Sequence, residues 1–181
     1  VEATELCKAD QTTHVVKELT ELQGVMGAIY MRREGYPEAA CRAVEEHYLP
    51  QSPADPVPSS PLGALLSIVD KADTLVGCFG VGVIPTGSKD PFGLRRAAQG
   101  LVRVLLECKL SVSVPELLDA AADQYDGTLG FDRARIAAEL LPYLRERVRF
   151  VLVERGFPGD EVDAVLGASW TKLPDALERL E

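Results

Sequence analysis

Histidine is scarce in this chain: His14 and His47 are the two present in 181 residues, and no His-Asp dipeptide occurs. So few imidazoles fall short of the first shell of a typical catalytic metal, and carboxylates would have to complete any such site. Cysteine is thin as well. Cys7, Cys41, Cys78 and Cys108 lie 34, 37 and 30 residues apart without a Cys-x-x-Cys pair. That spacing argues against a zinc knuckle and for buried thiols of a cytosolic protein. There is no Gly-x-Ser-x-Gly elbow, no Walker loop and no cysteine with a partnered histidine, so no nucleophilic triad is visible. No run of about eighteen apolar residues is free of charge, which excludes a membrane-spanning helix. Glu2, Glu5, Lys8 and Asp10 rule out a signal or transit peptide at the start. An initiator Met is missing, as expected of a chain cut from a longer protein or of a processed start. Positive charge is also short. Nineteen Lys and Arg face 28 Asp and Glu, for a net charge of -9. Non-specific binding of nucleic acid by the whole surface is therefore disfavoured, while one local basic patch is not.

What is present is helical pattern. With 46% hydrophobic and 26% charged residues, the chain can build one real core, with or without a small appendage. Apolar spacing predicts a helix over residues 3–22 and another over 25–33, ended by Gly35. Pro37 opens the next, which runs to about residue 48. Five prolines between residues 50 and 61 make an exposed loop. Helices follow over 62–79 and from Pro91, with Asp90 as N-cap, to about 108. Ser113 and Glu116 form a capping-box pattern for another. A long helix spans 131–155, with a kink expected at Pro142 and a stop at Gly156. Two short helices close the chain at 160–166 and 174–180. The expectation is all-α, with about eight or nine helices, a main domain over 1–156 and a C-terminal helical extension over 157–181.

Three segments invite chemistry. Thr86, Gly87, Ser88 and Lys89 form a donor-rich turn leading into a helix start, with Arg95 and Arg96 a turn later. Free amides at a helix N-terminus favour anions, so this is either a phosphate-binding spot or a capped helix start whose arginines pair with nearby acids. His47 and Asp70 either share a metal or phosphate ester, or hydrogen-bond within the core. Glu18 and Glu21 either complete such a site or form a solvated face.

Four stretches, in order, resemble the beta subunit of the bacterial alpha/beta type of glycyl-tRNA synthetase. Residues 18–27 are similar to its "ELQG-x-MG" segment, 45–50 to "EHYLP", 70–77 to "DKLDTLVG", and 85–96 to "PTGSKDPFALRR" with one Ala-to-Gly change. The resemblance implies an internal helical bundle related to HD-type phosphohydrolases, in which a His-Asp pair and a distant Asp hold metal. That pair is missing here, so Glu18, Glu21, His47 and Asp70 are expected to form a degenerate site with no metal and no catalytic residue. It further implies a cytoplasmic protein that supports tRNA-Gly binding. ATP and Mg would be used by the alpha subunit and no cofactor held here, with the alpha subunit and the remaining beta-subunit domains as partners. Charge and helix-end physics then select Ser88, Lys89, Arg95 and Arg96 as tRNA contacts, with Arg32, Arg33 and Lys71 behind them. A metal-dependent phosphohydrolase and a purely structural scaffold are the alternatives.

Overall fold

The computed structural model describes residues 2–86, 89–128 and 130–181. Among these residues there are ten α-helices and no strand, so the all-α expectation holds. The chain divides into two compact units, Val1–Asp70 and Lys71–Glu181. The division falls inside a helix.

The first unit contains α1 (Glu2–Leu6), α2 (His14–Glu18), α3 (Val25–Arg33), α4 (Glu38–Glu46) and the start of α5 (Pro61–Gly80). The expected helix over 3–22 is thus broken into short pieces joined by 3-10 turns. The cause is local polar competition. The Thr12 and Thr13 hydroxyls donate back to the carbonyls of Ala9 and Asp10, and Thr13 then caps α2 by accepting the Val16 amide. The core is made of small side chains. Ala28 and Met31 of α3 pack with Ala40, Cys41, Ala43 and Val44 of α4, beside Ala3, Cys7 and Leu66. Small residues let α3 and α4 approach closely. A Cβ on Gly27 would lie 2.9 Å from Val44 Cγ1.

The far end of the proline-rich loop after α4 is held by Glu46, and its near end by Asp55, which accepts the amides of Gln51 and Ser52. Glu46 accepts the Ser59 hydroxyl at 2.6 Å, the Ser60 hydroxyl at 2.6 Å and the Ser60 amide at 2.9 Å. Arg42 pairs with it from one turn earlier at 2.9 Å. Burial works against its ionisation, but these donors outweigh that and bring its pKa down to about 2.

The second unit holds the rest of α5, then α6 (Leu94–Glu107), α7 (Val114–Ala122), α8 (Arg133–Glu154), α9 (Gly159–Ala168) and α10 (Leu173–Glu178). Its core is built from larger side chains: Leu75, Phe79, Leu94, Leu101, Leu105, Leu140, Leu144, Leu152 and Leu173 are all fully buried. α8 runs through Pro142 as one helix. The Ser113 side chain makes no cap hydrogen bond. Instead, Ser113 pairs with Lys172 in an isolated bridge, and the Val114 amide donates to Thr171 O at 2.8 Å. α9 and α10 belong to this unit. Val162, Leu166, Leu173 and Ala176 are buried, and Arg149 of α8 pairs with Asp163 of α9 at 2.7 Å.

α6 ends in an unusual way. Leu110 N donates to Leu105 O and Lys109 N to Leu106 O, the double bond of a Schellman stop. The same closure follows α3 and α8, with Gly35 and Gly156 in the left-handed position. After α6 that position is taken by Lys109, with φ 52°.

Two outcomes follow for stability. Lys109→Gly, at an exposed site, is expected to raise unfolding free energy by about 0.5–1 kcal/mol, read by urea denaturation. Glu46 has a folded pKa below its ordinary 4.5, so the unfolded chain binds more protons as pH falls. Its contribution is whole above about pH 4.5 and is lost on the way down to about 2. Glu46→Gln should therefore flatten the fall of stability across that window, and Glu46→Ala should cost about 2 kcal/mol at pH 7.

Candidate functional site

The first question is whether Glu18, Glu21, His47 and Asp70 form a metal centre. All four lie in the first unit. His47 is fully buried, and its Nδ1–H donates to Val44 O at 2.7 Å. Asp70 faces the Lys8 ammonium at 2.9 Å, and that ammonium also sits 4.2 Å from the centre of the Tyr48 ring. Glu18 and Glu21 are exposed. Among the described residues no three His, Cys, Asp or Glu side chains converge as metal ligands. These residues therefore do not fit a metal. A cation of the chain itself stands at Asp70.

The acid that organises this region is one the sequence did not single out. Asp10 is 2% exposed. Its Oδ2 accepts the amides of Gly24 at 2.6 Å and Gly27 at 3.1 Å. Gly24 has φ 80°, and a Cβ there would press on Tyr48 Cδ2 at 2.9 Å. The signal was present as two glycines three residues apart, but which carboxylate they receive is a tertiary fact.

Three of the four family-like stretches are thus occupied by packing. Residues 18–27 supply Gly24 and Gly27. Residues 45–50 supply Glu46, the buried His47, Tyr48, whose hydroxyl accepts Gln11 Nε2 at 2.8 Å, and Leu49, whose carbonyl accepts the Ser67 hydroxyl at 2.8 Å. In residues 70–77, Asp70 meets Lys8 and Lys71 is 6% exposed. Asp73 accepts the Tyr125 hydroxyl at 3.0 Å. Burial, then that hydrogen bond, raises the Tyr125 pKa to about 12.

The fourth stretch behaves differently. Lys89 is exposed, as is Arg96. The main chains of Thr86 and Lys89 exchange hydrogen bonds at 3.2 and 2.8 Å. Asp90 then caps α6 from outside: its carboxylate accepts the amides of Leu94 at 2.8 Å and Arg95 at 2.9 Å. The helix consequently starts at Leu94, three residues later than Pro91, and its first two amides are already taken by an anion of the chain. Any phosphate here must be met by side chains. Arg95 is half-buried, close to Asp90 and to Tyr143 of α8, whose hydroxyl is pushed up in pKa by burial. Ser88 lies outside the described residues.

The other proposed cations differ in availability. Arg32 grips Glu38 at 2.8 Å and Glu45 at 3.0 Å, so its charge is neutralised. Lys71 is too buried to meet a phosphate backbone. Arg33 is exposed at the end of α3, in the first unit. Most remaining arginines are likewise paired: Arg42, Arg103, Arg133, Arg135, Arg149 and Arg155 all meet carboxylates. Among the described residues neither Lys89 nor Arg96 enters an ion pair.

Fold and site together define an all-α protein without a metal cluster among its described residues, with an exposed cationic turn on an acidic body. Comparison with known sequences assigns the family. Residues 1–167 match the family described as glycyl-tRNA synthetase beta subunit. A glycine–tRNA ligase beta subunit from Solidesulfovibrio magneticus is 46% identical over 177 residues, covering 97% of this chain and 25% of the relative. Those from Janthinobacterium sp. and Syntrophotalea carbinolica are 41% and 42% identical, covering 98% and 99% of this chain and 25% and 26% of theirs. The chain belongs to the glycyl-tRNA synthetase beta-subunit family and spans about a quarter of the length of these relatives.

The ranking of the polar contacts can be measured. Asp10→Ala leaves two buried amides without an acceptor and should cost about 3 kcal/mol in urea denaturation. Lys8→Gln removes a partly exposed ion pair and should cost less than about 1 kcal/mol. The reverse order would mean that the Lys8–Asp70 pair, and not the buried carboxylate, holds this unit.

Proposed function

We propose that this chain is a non-catalytic module of a glycyl-tRNA synthetase beta subunit that helps to hold tRNA-Gly, with Lys89 and Arg96 as phosphate contacts and Arg95 beside them. The observation that carries this reading is the state of charge. In a chain of net charge -9 most arginines are neutralised, whereas these two exposed cations lie in one turn and the helical turn after it. Unneutralised local positive charge is what phosphate contact requires. The Asp90 cap supports the choice of side chains over helix amides. The family assignment supplies the RNA.

In the same proposal, glycine attachment with ATP and Mg takes place on a separate alpha subunit. That subunit and the other beta-subunit domains are the protein partners, and the cytoplasm is the site of action. The likeness to HD-type helical domains remains part of the proposal at the level of architecture. A metal-dependent phosphohydrolase is disfavoured by the hydrogen-bonded His47 and the Lys8-paired Asp70. Arg33 stays a secondary candidate in the first unit; Arg32 and Lys71 are set aside for their ion pairing and burial.

Charge reversal tests this in the alpha/beta assembly. Lys89→Glu and Arg96→Glu should each weaken tRNA-Gly binding and reduce the slope of log affinity against log salt by about one. Arg32→Gln should leave both unchanged. Wild-type affinity and slope in both reversals would reject the site and favour a structural role.

A further inference from the structure

We infer that the cationic turn receives unpaired nucleotides, with Phe92 as a stacking platform for a base; the inference rests on the RNA reading above and names the form of RNA recognised. Phe92 is 63% exposed, and Val81 and Ile84 in the same segment are 79% and 38% exposed. Single exposed apolar side chains are ordinary. Here three fall within twelve residues, and the aromatic one lies in sequence between the exposed Lys89 and Arg96. The backbone presents it: Gly93 N donates to Asp90 O at 3.2 Å, which closes a turn with Phe92 near its tip. Arg96 folds back on the same turn, since a Cβ on Gly93 would lie 2.9 Å from Arg96 Nη2 and 3.2 Å from Nε. The one carboxylate of the turn, Asp90, faces inward to the amides of α6.

An exposed ring with a cation before it and one after it along the chain suits a single strand, in which a base face alternates with phosphates. In an RNA duplex the base faces are covered by their neighbours, and a protein meets phosphates and 2′-hydroxyls instead. An exposed phenyl ring has nothing to stack on there. Phe92 therefore distinguishes the two forms: Lys89 and Arg96 hold the phosphates on either side, and the ring takes a base without regard to its sequence.

The test uses the alpha/beta assembly, with competition for bound tRNA-Gly by a short single-stranded RNA and by a blunt RNA duplex of equal length. The single strand should compete better with wild type. Phe92→Ala should weaken single-strand binding by about tenfold without changing the salt slope. Phe92→Leu should behave like Ala, and Phe92→Trp should restore binding. The inference is overturned if the duplex competes equally, if Leu binds like Phe, or if Phe92→Ala disrupts the assembly while tRNA affinity stays at wild type, the mark of a protein contact. Loss of binding in Lys89→Glu with none in Phe92→Ala would reject stacking and leave the RNA reading standing. No loss in either would remove both.

Discussion

Carboxylates that accept main-chain amides hold this chain in shape. Asp10 takes the amides of Gly24 and Gly27, Glu46 takes that of Ser60, and Asp90 takes those of Leu94 and Arg95. Asp55 does the same for Gln51 and Ser52, and Asp132 for Arg135. Asp10 and Glu46 tie together segments fourteen or more residues apart, and the others fix a loop or a helix start locally. A carboxylate suits this because two oxygens with four lone pairs can serve several donors, and an ionised acceptor strengthens each bond. In the first unit, whose core rests on alanine, cysteine and valine, such ties matter more because little apolar area is available per residue.

The same arrangement changes how the acidity is read. An excess of negative charge ordinarily counts against contact with RNA. Here much of it points inward to amides or is matched by arginine on the surface, as where Arg133 stands among Asp119, Asp123 and Asp126. The excess is also uneven. Residues 1–70 hold eleven acids against five Lys and Arg, and residues 71–181 hold seventeen against fourteen. The turn with Lys89 and Arg96 lies in the more balanced part. Local potential near that turn is set by which partners are close, and net charge says little about it.

The four family-like stretches differ in where their side chains go. Glu46, His47, Tyr48 and Asp70 stand in stretches that look like a site, yet each is held by contacts within the first unit. A buried histidine has its Nδ1 on a carbonyl, and an aspartate faces a lysine, both within the same unit. The stretch that turns its side chains outward is the one with the two unpaired cations and the phenyl ring.

From the residues alone came the helical class, the proline loop, the stops at Gly35 and Gly156, and the segment with the outward cations, because periodicity, proline and glycine act within a few residues. Which carboxylate receives the amides of Gly24 and Gly27, and which serines Glu46 holds, were decided by tertiary structure. Each depends on where a side chain finds its partner: Asp10 reaches fourteen residues forward to Gly24, and Glu46 the same distance to Ser60. The same holds for Arg32, which reads as a surface cation until Glu38 and Glu45 are seen beside it. Spacing in sequence records which groups can pair, and only packing selects which of them do.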